Sequence, residues 1–120
     1  MRQALGRQCK PVSAYAIMEA LQQETGKRHF PNSIYRSLKW LATKGEALQV
    51  VSVNGWLLRT AAPSAPTMIL LCKNCGVAQQ LVQPEALHAI QVVGKSSGFK
   101  VRETHVEVLG TCQDCNIGVV

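Results

Sequence analysis

The sequence predicts an α+β chain of two small modules, an N-terminal winged helix-turn-helix and a C-terminal β-α-β half stapled through four cysteines. Three observations predict it. Two amphipathic helical stretches precede a hairpin signal within residues 1–60, two Cys-x-x-Cys pairs stand in the remainder, and the positive charge is confined to the first half. Residues 1–61 carry nine Lys or Arg against three acids, and residues 62–120 carry four of each, so the whole net charge of +6 sits upstream. The segment "AAPSAP", Ala61 to Pro66, holds two prolines and no large side chain, and reads as a hinge (61–66) between a first module at 1–60 and a second at 67–120.

In the first module, Arg2 to Gln8 reads as a short leading helix broken by Pro11. Ser13 is placed to cap a second helix, with Ile17, Ala20 and Leu21 on one face until Gly26. Asn32 is placed to cap a third. At 100° per residue, Leu38 and Leu41 fall within about 40° of Ile34, whereas Lys39 and Arg36 fall about 140° and 160° away from it. One face is apolar and the opposite face is cationic. After Gly45, "ALQVVSV" and "WLLRT" flank Asn54-Gly55, a strong short hairpin signal. Helix, turn, cationic helix and hairpin together describe a winged helix-turn-helix, whose second helix enters the DNA major groove N-terminal end first. There Tyr35 and Arg36 are placed to reach base edges and Lys39 a phosphate, with Ser33 at the head of the same helix. Plainer readings stand beside these: Tyr35 as a core aromatic, Lys39 and Lys44 as solvated charges, Trp40 as a packing residue at a flank or between modules.

In the second module, "VAQQLV" reads as a strand, Pro84 to Lys95 as a helix with Leu87 and Ile90 facing inward, and "FKVRETHVEVLG" as a strand after a turn at Gly98. Cys72 and Cys75 precede Cys112 and Cys115 by 36 residues, a spacing that suits two turns meeting in space. Four thiolates in a tetrahedron suit zinc and close its shell, so the ion has no open position at which to activate water. A structural zinc, one per chain, supplies on the order of 10 kcal/mol of folding free energy, which so small a half needs. The competing use of Cys-x-x-Cys is thioredoxin-like exchange, for which one pair would suffice.

No stretch approaches the length of a membrane span, and "MRQALGRQCKPVSA" lacks the apolar core of a signal peptide. The expectation is a soluble, cytoplasmic protein, where paired cysteines bind metal rather than each other. No Ser-His-Asp set, phosphate loop or carboxylate pair suggests an enzyme. The basic first half fits double-stranded DNA, although basic surface also serves solubility.

"PVSAYAIMEAL", "FPNSIYRSLKWLATKG", "CKNCG", "GFKV" and "EVLGTCQDC", in that order, resemble the ferric uptake regulator family, and more closely its zinc uptake regulator branch. The resemblance implies a homodimeric, metal-responsive repressor whose winged helices bind a palindromic operator while the C-terminal sheets pair, making residues 67–120 the dimerisation domain. By position, Tyr15, Tyr35 and Arg36 match residues that meet DNA, and Cys72, Cys75, Cys112 and Cys115 match the structural zinc site. The usual regulatory site draws on a His-rich run before the first cysteine, an acid five residues after the second, and a His eight before the third. This chain has "APSAPTMILL", Gln80 and Thr104 there, with Leu48 and Arg59 at the wing positions that serve the zinc branch. The sequence also begins within what is normally the family's second helix. The expectation is a regulator that keeps the structural zinc and lacks the standard sensor. His105 and Glu107 share a strand face and offer a weak secondary pair of metal ligands; His29 and His88 read as a turn residue and a surface residue, and Cys9 as an unpaired buried thiol. Two rival functions remain: a shortened relative that modulates a full-length regulator by pairing with it, and a thiol oxidoreductase.

Overall fold

The computed structural model describes residues 10–62 and 65–116. The leading helix expected at Arg2 to Gln8, Cys9, and the hinge residues Pro63 and Ser64 lie outside them. The chain divides into two compact units, Met1–Pro63 and Ser64–Val120.

In the first unit, helix α1 (Ala14–Thr25) starts where Ser13 accepts a hydrogen bond from the Ala16 N–H at 3.1 Å and stops at Gly26, whose φ of 67° suits a residue without a Cβ. Ala14 and Ile17 are buried, whereas Ala20, expected on the same face, is exposed. Helix α2 (Pro31–Thr43) begins earlier than expected. Pro31 supplies a preset φ at a position whose N–H needs no partner, and Phe30, held extended by the proline that follows it, is the cap residue without a side-chain bond. Asn32 is therefore inside the helix rather than its cap. Ile34, Leu38 and Leu41 are buried as the periodicity predicts. The helix closes in a Schellman arrangement, Gly45 N–H to Ala42 O at 3.0 Å and Glu46 N–H to Leu41 O at 2.9 Å, with Gly45 at φ 76°.

Strands β1 (Ala47–Val50) and β2 (Gly55–Leu58) pair antiparallel, from Ala47 opposite Leu58 to Val50 opposite Gly55. The expected two-residue Asn-Gly turn is a longer loop, because Val51–Val53 form a 3-10 turn closed by Asn54 at φ 49°. Gly55 already belongs to β2 and has no left-handed φ. Trp56 exchanges both backbone hydrogen bonds with Val12, at 3.0 and 2.9 Å, tying the hairpin to the segment before α1. Ala14, Ile17, Ile34, Leu38, Leu41, Ala47 and Trp56 form one core cluster.

The second unit is a three-stranded sheet in the order β4-β3-β5, with β3 (Thr67–Cys72) central, β4 (Ala78–Val82) antiparallel to it and β5 (Glu107–Gly110) parallel to it. Helix α3 (Pro84–Ser96) is the crossover between β4 and β5, and it ends in a second Schellman arrangement around Gly98, φ 87°. The α+β class and the β-α-β core are borne out. Three details are corrected. The central strand β3 was not anticipated, the long terminal strand is reduced to four residues, and Ile90 is 46% exposed, leaving Leu87 as the buried residue of α3.

Candidate metal centre and nucleic-acid interface

The two cysteine pairs sit where strands end. Cys72 closes β3, and the chain turns back at once: Gly76 donates to Cys72 O at 3.0 Å with a φ of 82°, and Cys72 N–H donates to Val77 O at 2.9 Å. Cys75 N–H points at Cys72 Sγ, 3.4 Å away. Cys112 follows β5, whose Gly110 O accepts from Lys73 N–H at 2.8 Å, and Asn116 N–H returns to Cys112 O at 2.9 Å. Parallel pairing of β3 with β5, Cys72 opposite Gly110, is thus what brings the distant pairs together.

The four sulfurs all lie within 4.8 Å of one another, with Cys75 Sγ 3.7 Å from Cys112 Sγ. A tetrahedral shell with bonds of about 2.3 Å sets neighbouring sulfurs about 3.8 Å apart, so the cluster fits zinc. It is typical of a structural zinc centre. Cys72 is buried and the other three are half-buried. Donation from the Cys75 and then the Cys112 backbone draws the Cys72 thiol down from 9.0 to about 6 against the opposing effect of burial. On Cys115, a hydrogen bond from Asn74 lowers the pKa, but Cys112, burial, Cys75 and Cys72 together outweigh it and push that thiol up to about 12. Without an ion the cluster cannot ionise fully; a dication supplies the charge that lets all four be thiolates.

Among the described residues this is the only group of three or more His, Cys, Asp or Glu that could hold an ion. His105 finds Glu103 at 3.3 Å, and Glu107 is paired in β5 opposite Ile69. His29 lies in the turn before α2, with its backbone N–H on Gln22 Oε1 at 3.1 Å and its ring 3.2 Å from Thr25 Oγ1. His88 is exposed on α3.

The candidate DNA-contacting residues lie on α1 and α2 of the first unit. Ser33, Arg36 and Lys39 are exposed on α2 and Tyr15 is exposed on α1. Tyr35 is half-buried and packs against the core cluster, so the plainer reading of its ring has support. No acid occurs in the thirteen residues of α2. Trp40, read from the sequence as a packing residue, is 56% exposed on this helix with the Lys44 ammonium 4.2 Å from its ring centroid. Arg28 stacks similarly over Phe30, at 5.5 Å, in the turn before α2.

No family model matches the chain. It is 24% identical over 106 residues to the zinc uptake regulation proteins of Escherichia coli K12 and Shigella flexneri, covering 87% of this chain and 61% of each relative. The chain thus spans about three fifths of the length of these relatives. Its fold matches a zinc uptake regulator complexed with zinc and DNA at a TM-score of 0.86, with 22% identity over 95% of this chain and 77% of that one. Holo XcZur matches at 0.81, with 25% identity over 98% and 84%. The ferric uptake regulator of Helicobacter pylori matches at 0.59, with 20% identity over 96% and 76%. In sequence and in fold the chain therefore resembles the ferric uptake regulator family, on the side of its zinc uptake regulators.

Proposed function

We propose that the chain is a DNA-binding transcriptional repressor of the ferric/zinc uptake regulator type, working as a cytoplasmic homodimer on a pseudo-palindromic operator. One structural zinc per chain keeps the second unit folded, and the regulatory metal site usual in the family is lacking. The observation that carries the reading is the two-faced character of α2. Ile34, Leu38 and Leu41 anchor it from behind, while Arg36 and Lys39, with Lys44 at the C-cap, stand exposed on a helix without an acid. A helix so held presents cations to a phosphate-walled groove. Arg36, whose planar fork suits guanine or phosphate, is the residue assigned to base reading together with Tyr35; Ser33, Lys39 and, from α1, Tyr15 are assigned to positioning contacts. That a protein of this fold is a zinc uptake regulator in complex with zinc and DNA supports the assignment.

Cys72, Cys75, Cys112 and Cys115 would hold the zinc. When bound, the ion supplies a closed thiolate shell that cross-links the end of β3 to the end of β5, a structural and not a catalytic service. The relatives are regulators, not enzymes, which agrees with the absence of an open coordination position. Loss of the sensor is supported by what occupies the expected positions. Gln80 is paired in β4 opposite Ile69, Thr104 accepts a hydrogen bond from Gln91 at 3.4 Å, Leu48 pairs with Leu57, and Arg59 is half-buried at the end of the wing. The dimer is supported by apolar side chains left open on the second unit: Val82, Ile90, Val93, Phe99, Val108 and Leu109.

Elemental analysis of the purified protein, coupled to footprinting on DNA from upstream of its own gene with and without added zinc, tests the reading. One zinc per chain and an unchanged footprint are expected. A second zinc that sharpens binding would overturn the loss of the sensor. A protein that pairs with a full-length regulator yet protects no DNA alone would move the assignment to a modulator.

A further inference from the structure

Trp40 and Lys44 are unexplained by the contacts assigned so far. An indole ring is normally half or more covered, yet Trp40 is 56% exposed on α2, one turn beyond Arg36 and on the same solvent face. Lys44 follows one turn later, its ammonium fixed 4.2 Å from the Trp40 ring centroid. Among the described residues no acid pairs with Lys44. A surface lysine ordinarily samples many rotamers; this one is held by the face of an aromatic ring, so less freedom remains to be lost on binding.

We propose that Trp40 and Lys44 form a phosphate clamp at the C-terminal end of the recognition helix, in which the indole positions the ammonium against the DNA backbone. The clamp rests on the reading of α2 as that helix. From Arg36 to Lys44 the helix rises about 12 Å, close to the roughly 12 Å width of the major groove. A helix with Arg36 among the bases therefore brings Lys44 to the wall of the groove. The C-terminal end of a helix carries its negative dipole, so a phosphate is held there only by side-chain cations, and a pre-positioned one serves best. Lys44 is the contacting residue; Trp40 is a positioning residue that acts through it.

The test uses the full chain and a duplex that the wild-type protein selects from a randomised pool. Dissociation constants are measured across a salt series for wild type, Lys44→Ala, Trp40→Ala, Trp40→Phe, the double variant and Arg36→Ala. Both side chains are exposed, so the variants are expected to fold, and thermal melting checks it. Lys44→Ala should lower the log–log salt slope by about 0.9 per chain and weaken binding evenly across sequences. Trp40→Ala should weaken binding severalfold where Lys44 is present and less than twofold where it is absent, with Trp40→Phe largely retaining affinity. An unchanged slope in Lys44→Ala, or a Trp40→Ala loss equal in both backgrounds, overturns the clamp. Should Arg36→Ala relax sequence preference while these variants do nothing, α2 remains the recognition helix and the clamp alone falls; a wild-type protein that selects no duplex brings down both.

Discussion

Gly45 precedes the wing and Gly55 opens its second strand, and the two are required for different reasons. A Cβ on Gly55 would stand 2.6 Å from Pro11 Cβ and 3.3 Å from Pro11 C, because the Val12–Trp56 bridge pulls the two segments together. A Cβ on Gly45 would face instead the strain of φ 76°. Gly55→Ala is expected to cost about 1–3 kcal/mol by overpacking, and Gly45→Ala about 1–2 kcal/mol through backbone strain. In urea unfolding, Pro11→Gly should recover part of the first loss and none of the second. The "NG" of the wing was legible as a turn, but its glycine was not legible as a steric necessity, since the neighbour that demands it lies far back in the chain. For Arg36, the expected effect of Arg36→Ala is a loss of about 1–3 kcal/mol of operator discrimination at one base pair. Competition between selected and single-mismatch duplexes measures it, and equal competition in variant and wild type would remove Arg36 from base reading.

Helix α2 shows how packing and capping divide the work within an element. Leu38 is fully buried and Leu41 nearly so, whereas the N-cap residue Phe30 offers no side-chain acceptor to the free N–H groups of the first turn. Phe30→Ser should therefore stabilise the first unit by about 1 kcal/mol; Leu38→Ala should cost about 2–5 kcal/mol. Chemical denaturation followed by far-UV dichroism reads both, and a destabilised Phe30→Ser would mean that its contact with Arg28 matters more than the missing cap. Helices α1 and α2 were legible because a 3.6-residue period survives wherever one face is wet. Strand β3 was not, for a related reason. "TMILLC" is central in its sheet and has no polar alternation, so it carries no period to detect. The short β5 was overread because "FKVRETHVEVLG" was taken whole as one strand from the Gly98 turn onward, although pairing with β3 begins only at Glu107. The four cysteines were legible from spacing, but the parallel register that joins them was not, since it depends on β3.

At the scale of the whole chain, the two units differ in what holds them. Among the described residues, the first has Ile17, Leu38, Val50, Trp56 and Leu57 almost wholly shielded from water, whereas the second buries only Ile69, Leu71, Leu87 and Cys72, and the last is a candidate metal ligand. Each large side chain buried contributes about 1.5–3 kcal/mol, so less burial stands against chain entropy in the second unit than in the first. The second unit therefore depends on the zinc that its thiolates would hold, on a second copy of the chain covering its open apolar side chains, or on both. Chelation should then unfold the second unit and leave the first intact. The two tryptophans make this readable. Trp56 is 1% exposed and should keep its shielded emission in a Trp40→Phe background after a strong chelator is added, while amide exchange accelerates across β3, β4 and β5. Acid should act in the same way. Protons compete with the ion for the thiolates of Cys72, Cys75, Cys112 and Cys115, so metal should be retained at neutrality and released progressively as the pH falls. Zinc release followed with a chromophoric indicator between pH 7.5 and 5 checks the direction. A second unit that stays protected from exchange after chelation would place its stability in pairing between copies instead, and dilution in the presence of chelator would then be the step that unfolds it.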